Sequence, residues 1–382
     1  MILNKQPIPP NATAHSTDVH WCTNHAQEGG CSSASFLVHI SSSQSRQIHA
    51  FLQDSQSGRL ELLEVIDVPG SGSPTRGNIP LSWGLNKKVL YAHVRIDPYP
   101  LSAFELDAST GKLHLVDSVH LPAPMAYLSV TRNGRFLLAA SYDGGQLTAH
   151  RIEADGRVSD APLQIVPTPP KAHCVMESPF GGYVYATSVD GEVILVYHLD
   201  EATGQLKAVE QANTPTRPGS GPRHLAFHPK MDRLYCINES SGVVAAYSVD
   251  RSTGALKEIQ HEAIVSPDFV GRPMGADIHL TPDGNFVYAS VRNTNSITAL
   301  RIDPKTGLMA HACTFEVEPH PRGFAITPDG RHLLCAGQKS NQVTVFSIHP
   351  DHGDLTHISS YAVGEMPSWI EIIPSPKTLA LR

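Results

Sequence analysis

Five segments of this 382-residue chain repeat one pattern: "SVTRNGRFLLAASY", "ESPFGGYVYATSV", "FHPKMDRLYCINE", "LTPDGNFVYASVR" and "ITPDGRHLLCAGQ". Each is an apolar strand, a turn rich in Pro, Asp, Asn and Gly, and a second apolar strand. Aligned on Ala139, Ala186, Cys236, Ala289 and Cys335, the copies lie 47, 50, 53 and 46 residues apart. A period of this length built only from strands belongs to the blades of a propeller.

Each copy continues into a third strand. Seven of these can be read: "QIHAFL", "LSAFEL", "LTAHRI", "VILVYHL", "VVAAYSV", "ITALRI" and "VTVFSI". Most pass through a turn such as "DASTGK" or "DPKTGL" into a fourth strand. Second strands also number seven if "FLVHIS" at 36–41 is counted, whereas the seventh first strand, "SWIEIIP" at 368–374, comes after the last complete repeat. The chain therefore starts on a second strand and ends on a first. Pairing the two ends in one blade closes a ring and leaves no exposed terminal sheet. The expected fold is all-β, a seven-bladed β-propeller with four antiparallel strands per blade, over residues 36–376. Residues 1–35 are expected as an extension outside the repeats and 377–382 as a short tail.

In such a blade the start of strand 1 and the end of strand 2 share a rim. Thirteen residues before the alignment points stand Ala126, His173, Arg223, Ala276 and Arg322, with Gly77 and Ser368 as the equivalents in the two irregular blades. Three residues after them stand Tyr142, Val189, Glu239, Arg292 and Gln338, joined by Arg95 when Ala92 is the reference. An Arg and a Glu on neighbouring strands also make an ordinary structural ion pair, and a histidine heading an apolar strand can be a plain core residue. Convergence argues otherwise, because His173, Arg223, Glu239, Arg292 and Arg322 all register to one end of one channel. His224 and Asp277 are added as lining candidates, with His279 a weaker one. The "TPDG" turns belong to the opposite rim and serve turn geometry.

Net charge is −7 without a Lys/Arg run, so nothing marks a nucleic-acid or membrane-surface partner. No apolar stretch approaches the ~18 residues of a membrane span, and the first residues lack a secretory h-region, which predicts a cytoplasmic, soluble protein. Of six cysteines, Cys174, Cys236 and Cys335 sit in apolar runs as small hydrophobes. Cys22 and Cys31 could pair or bind metal, although no Cys-x-x-Cys occurs. His224 and His228 are four apart on a strand, roughly 13 Å, too far to share a metal. No phosphate loop, Gly-x-Ser-x-Gly elbow or Cys/His nucleophile spacing is found, so no cofactor and no metal are expected.

The stretches "GPRHLAFHP", "YCINE", "ADIHLTPDGNFVYASVR", "PRGFAITPDGRHLLCAGQKSNQVTVFSI" and "YAVGEMPSW" resemble the lactonase family of bacterial seven-bladed propellers, to which the fungal carboxymuconate cyclase is related. The resemblance implies hydrolysis of a small anionic sugar-acid lactone, 6-phospho-D-glucono-1,5-lactone in the pentose phosphate pathway. The family's His, Arg and Glu motifs fall on His173, Arg223 and Glu239, and its further arginine positions on Arg292 and Arg322.

Lactone hydrolysis needs a positioned water, a general base and oxyanion stabilisation. His173 or Glu239 could be the base, with Arg223 facing the oxyanion. Arg292, Arg322 and Arg95 would hold the anionic end, with Tyr142, His224, Asp277 and Gln338 completing the lining. A lactonase or cycloisomerase acting on another acidic lactone is the alternative. A non-catalytic, protein-docking propeller fits less well, since the rim carries only one aromatic, Tyr142. A ring closed by its own ends predicts a monomer.

Overall fold

In the computed structural model, residues 35–71 and 77–376 are described. The N-terminal extension with Cys22 and Cys31 and the tail at 377–382 fall outside them. The described residues form seven sheets, each a four-stranded antiparallel blade. Blade 1 joins the two ends: Pro367–Pro374 is its inner strand, followed outward by Ser35–Ser42, Gln47–Asp54 and Leu60–Asp67. Its closing register runs from Phe36 opposite Pro374 to Ser42 opposite Pro367. The six remaining blades follow in chain order, with inner strands Leu81–Trp83, Met125–Val130, Ala172–Glu177, Pro222–Phe227, Gly275–Leu280 and Pro321–Ile326. Blade 4 carries a short extra strand, Thr214–Pro215, on its third strand.

Second and third strands are apolar on both faces because each blade is packed between two others. Tyr235, Ile237 and Val244 of blade 5, for example, bury against Ile278, Val287 and Ala289 of blade 6. Each valine or isoleucine side chain among them contributes about 1.5–3 kcal/mol of burial.

A polar staple also joins neighbours. The second-strand tyrosines Tyr91, Tyr185, Tyr235 and Tyr288 donate their hydroxyls to the carbonyls of Gly156, Gly254, Gly307 and Gly353 in the next blade, at 2.7–2.9 Å. Those glycines end the turns between third and fourth strands with φ of 73–87°. At Gly353 an added Cβ would also meet the Phe286 ring at 2.7 Å, so both backbone and space exclude a side chain.

One irregularity recurs. In six of the seven inner strands the pairing with strand 2 slips by one residue just after the first position. The slip falls at Ala126, His173, Arg223, Ala276, Arg322 and Ser368. A bulge leaves its extra residue unpaired and re-aims it, and here it turns those side chains toward the channel mouth. Blade 2 has the short inner strand and no slip.

Candidate active site

The mouth is built where bulged strand heads meet the residues just past the second strands. Glu239 is its hub. Glu239 Oε2 lies 3.0 Å from Arg223 Nε and 3.2 Å from Arg292 Nη2, with both arginine side chains almost fully buried. Neither of those donors has an acceptor in line, so the contacts are ionic more than directional. Burial alone would raise the Glu239 carboxyl, but Arg223 and Arg292 overrule it and hold it below its usual range. Arg223 is fixed from a second side, where its Nη1 donates to Ala276 O and stands 3.3 Å from His224 Nε2. Arg292 Nε donates to Met274 O at 3.3 Å.

His173 is buried on the blade 4 bulge, its ring edge-on to Tyr142 at 5.7 Å and to His224 at 4.9 Å. Its Nδ1 has no hydrogen-bond partner among the described residues. Burial, and then the field of Arg223, His224, Arg322 and Arg95, hold the imidazole well below its ordinary value, so it is neutral near pH 7. Arg95 reaches the mouth from blade 2, giving Nη1 to Asn78 Oδ1 at 3.0 Å and Nη2 to Asp143 Oδ2 at 2.7 Å. Gln338 Nε2 donates to Gly77 O at 3.4 Å.

Arg322 differs from the others. Among the described residues no carboxylate lies within 4.0 Å of it, whereas burial and the neighbouring Arg223, Arg292 and Arg95 all disfavour its charge. Taken together, four guanidinium groups (Arg95, Arg223, Arg292, Arg322) face two carboxylates, Glu239 and Asp143. Two positive charges are in excess.

The structure therefore brings His173, Arg223, Glu239, Arg292, Arg322, Arg95, Tyr142 and Gln338 to one mouth. His224 and Asp277 sit one layer deeper, with Asp277 turned away toward His224 and His279. His228 is at the opposite rim, bonded to Gly284 O in the "TPDG" turn. Gly77 is a correction. Leu81 pairs with Ala92 at the same offset as the corresponding pairs of the other blades, which puts Ile79, thirteen residues before Ala92, and not Gly77 at the blade 2 strand head.

Two mouth residues escaped the sequence reading. Asn78, buried, holds Arg95 and donates to Ala126 O at 2.8 Å. His320 lies near Arg292, Lys339 and Arg322, and burial together with those cations lowers it to about 4. A count of fifteen before the alignment points picks out Lys171, Gly221 and His320, which share positive φ of 63°, 66° and 62°. Among the described residues, no group of three His, Cys, Asp or Glu is placed to hold a metal ion.

Residues 35–372 match the family described as "Lactonase, 7-bladed beta-propeller". The chain is 34% identical over 290 residues to a 6-phosphogluconolactonase of Pectobacterium carotovorum subsp. carotovorum (strain PC1), covering 76% of this chain and 84% of that one. It is 31% identical over 289 residues to a 6-phosphogluconolactonase of Yersinia pestis (strain Pestoides F), covering 76% and 83%. Among solved structures, the periplasmic gluconolactonase of Pseudomonas aeruginosa superposes with a TM-score of 0.81 at 26% identity, over 90% of this chain and 99% of that one. No helix among the described residues is long and apolar enough to cross a membrane.

Proposed function

The chain belongs to the lactonase family of seven-bladed β-propellers, and from that premise we propose that it hydrolyses 6-phospho-D-glucono-1,5-lactone to 6-phosphogluconate in the cytoplasm. The observation that carries the phosphorylated substrate is the excess of two positive charges at the mouth. A phosphate monoester brings about −1.5 to −2 at pH 7, which matches it. A neutral lactone would leave the half-buried Arg322 without a counter-charge.

The charges are not spread evenly around the ring. Arg322 and Arg292, on blades 7 and 6, take the phosphate. His173 and the Arg223–Glu239 pair, on blades 4 and 5, take the lactone ring. Water adds to the carbonyl carbon while His173 accepts its proton, and Arg223 faces the oxyanion that forms. Collapse of the tetrahedral intermediate breaks the bond from the carbonyl carbon to the ring oxygen, and His173 returns the proton to that oxygen. Glu239, clamped by two guanidinium groups, is a poor base. Its part is to hold Arg223 and Arg292 in place. His173 is neutral and able to accept a proton, and an incoming phosphate offsets the arginine field that weakens it.

A panel of lactones with and without phosphate tests the reading. The phosphorylated gluconolactone should be preferred in kcat/KM by at least about 100-fold, the worth of one or two charge-assisted bonds. Equal or better turnover of the unphosphorylated sugar lactone would overturn it. The likeness to the Pseudomonas gluconolactonase favours that second outcome.

A further inference from the structure

Three rings close the channel beneath the mouth. Tyr127 of blade 3 lies 5.2 Å from His224 of blade 5 and 5.2 Å from Trp369 of blade 1, and the last two are 5.9 Å apart. Below them a cavity of about 320 Å³ reaches the opposite rim at Pro229 and Pro282, with His279, Phe324 and Glu371 in its wall. A polar link crosses the ring layer through Asp277.

Asp277 Oδ1 is 2.8 Å from His224 Nδ1 and accepts the Ile278 N–H at 3.0 Å. Oδ2 is 3.3 Å from His279 Nε2 and accepts the Phe324 N–H at 3.2 Å. With two backbone and two imidazole donors, the carboxylate has no capacity left for a ligand at the mouth. Although burial alone would raise it, His279 and His224 hold Asp277 far below its usual range, so it is ionised and only accepts. His224 must then carry its proton on Nδ1. Its Nε2 lone pair is left facing Arg223 Nη1 at 3.3 Å, and Arg223 goes on to Glu239 and Arg292. An unbroken chain runs from the far cavity to the mouth.

We propose that Asp277 and His279 are positioning residues for the reaction: His279 fixes Asp277, Asp277 fixes the tautomer and ring of His224, and His224 aims the guanidinium of Arg223. The inference rests on Arg223 serving the oxyanion, as proposed above. Its reach is unusual in one respect, because His279 faces the cavity on the other side of the ring layer, with 41% of its side chain exposed. The charged and titratable groups around the pair are Arg223, His173, His279 and Tyr127 about His224, and Arg223, His279, Glu371, Tyr127, Cys174 and Cys335 about Asp277.

The test has a spectroscopic and a kinetic arm. Long-range ¹H–¹⁵N correlation spectra of the full chain, with the His224 signal assigned by its loss in His224→Asn, should show one neutral tautomer protonated on Nδ1. Asp277→Asn should give a mixture of tautomers, and His279→Gln a smaller departure in the same direction. In the kinetic arm, Asp277→Asn should lower kcat about 10- to 100-fold with KM within about 3-fold, the usual scale for partners that orient a functional group. His279→Gln should lower kcat about 2- to 5-fold, and the double variant should be no slower than Asp277→Asn alone, because both act through one chain. A wild-type His224 protonated on Nε2 would overturn the proposal, as would wild-type kcat in Asp277→Asn, a loss confined to KM, or fully multiplying losses. Should the wild type turn over no lactone, the functional reading fails while the spectra still decide the placement. His279→Gln, at a partly exposed position, serves where Asp277→Asn does not fold.

Discussion

Arg322→Met should make the protein more stable and less active. The side chain brings a charge into a mouth that already holds Arg95, Arg223 and Arg292, and among the described residues no carboxylate within ion-pair distance receives it. Methionine keeps much of the volume and removes the charge. Arg322 is half-buried, and replacing a poorly compensated, desolvated charge by an apolar group of similar size stabilises by about 1–3 kcal/mol. A propeller of this length gains roughly 0.7 kcal/mol/K of unfolding entropy, so the midpoint should rise by about 1.5–4 °C. Substrate binding loses a charge-assisted, forked contact worth about 2–3 kcal/mol, which raises KM about 30- to 150-fold. Thermal unfolding in phosphate-free buffer gives the first number and steady-state kinetics the second. A third measurement ties them together: inorganic phosphate should raise the midpoint of the wild type and leave that of the variant nearly unmoved. An Arg322→Met protein that is less stable and keeps its KM refutes the argument from excess charge.

The remaining expectations concern the base, the staples and acid. His173→Gln should cut kcat by about 10²–10³ with KM little changed, since proton transfer is lost and the anion contacts stay; stopped-flow hydrolysis at saturating substrate checks it, and unchanged kcat removes His173 from the reaction. Tyr235→Phe deletes the hydroxyl on Gly307 O between blades 5 and 6 and should lower stability by about 1–2 kcal/mol at unaltered kcat, a denaturant midpoint distinguishing it from no effect. Stability should fall as the pH drops from 7 toward 4. Burial lowers His39 and His93 to about 3, and burial with Arg223 lowers His224 to about 4. Below the unfolded value of 6.5 the unfolded chain takes up protons that the fold refuses, so each ring withdraws about 1.4 kcal/mol per pH unit until its folded value is reached. The depressed carboxyl of Glu239 acts in the same sense below its own unfolded value. Urea midpoints that stay level between pH 7 and 5 would contradict the burial of neutral histidines.

The ring was legible because sandwiched blades bury both faces of their second strands, which leaves runs such as "FVYASV" whose spacing can be counted directly. The closing blade was legible for the same reason, since "SWIEIIP" has no other strand set to join. Counting failed where the backbone leaves the regular ladder. A bulge inserts its extra residue without altering the distance between repeats, so thirteen-residue spacing found His173, Arg223 and Arg322 but gave no sign of why they face the channel. In blade 2, where the turn and the inner strand are irregular in sequence, the strand head was placed on Gly77, whereas Leu81 opposite Ala92 keeps the same offset as the other blades and puts Ile79 there. Asn78 and His320 were invisible because their roles depend on neighbours from other blades, Arg95 and Ala126 for one and Arg292 and Arg322 for the other. Spacing along one blade carries no information about contacts across the mouth. Asp277 was read as lining for a similar reason: its place on the strand is near the mouth, but its carboxylate is turned down onto two histidines.

The distribution of charge around the ring has a consequence for how the substrate must lie. Blades 1 and 3 present Ser368 and Ala126 at their bulges and blade 2 presents Ile79, so three neighbouring strand heads carry no charge. Blades 4 to 7 present His173, Arg223, Ala276 with Arg292 beside it, and Arg322 in turn. In the proposed mode of binding an anionic lactone is drawn to the second arc, where blades 4 and 5 set the neutral His173 beside the Arg223–Glu239 pair, while His320 lies near Arg292 and Arg322 on the phosphate side. The phosphate cannot take that place without competing with Glu239, which already occupies Arg223 and one edge of Arg292. It is left with Arg322 and the free edge of Arg292. In the proposed mode of binding the carboxylate of Glu239 does two things at once: it keeps two arginines aimed at the mouth, and by repelling the phosphate it turns the lactone carbonyl toward His173.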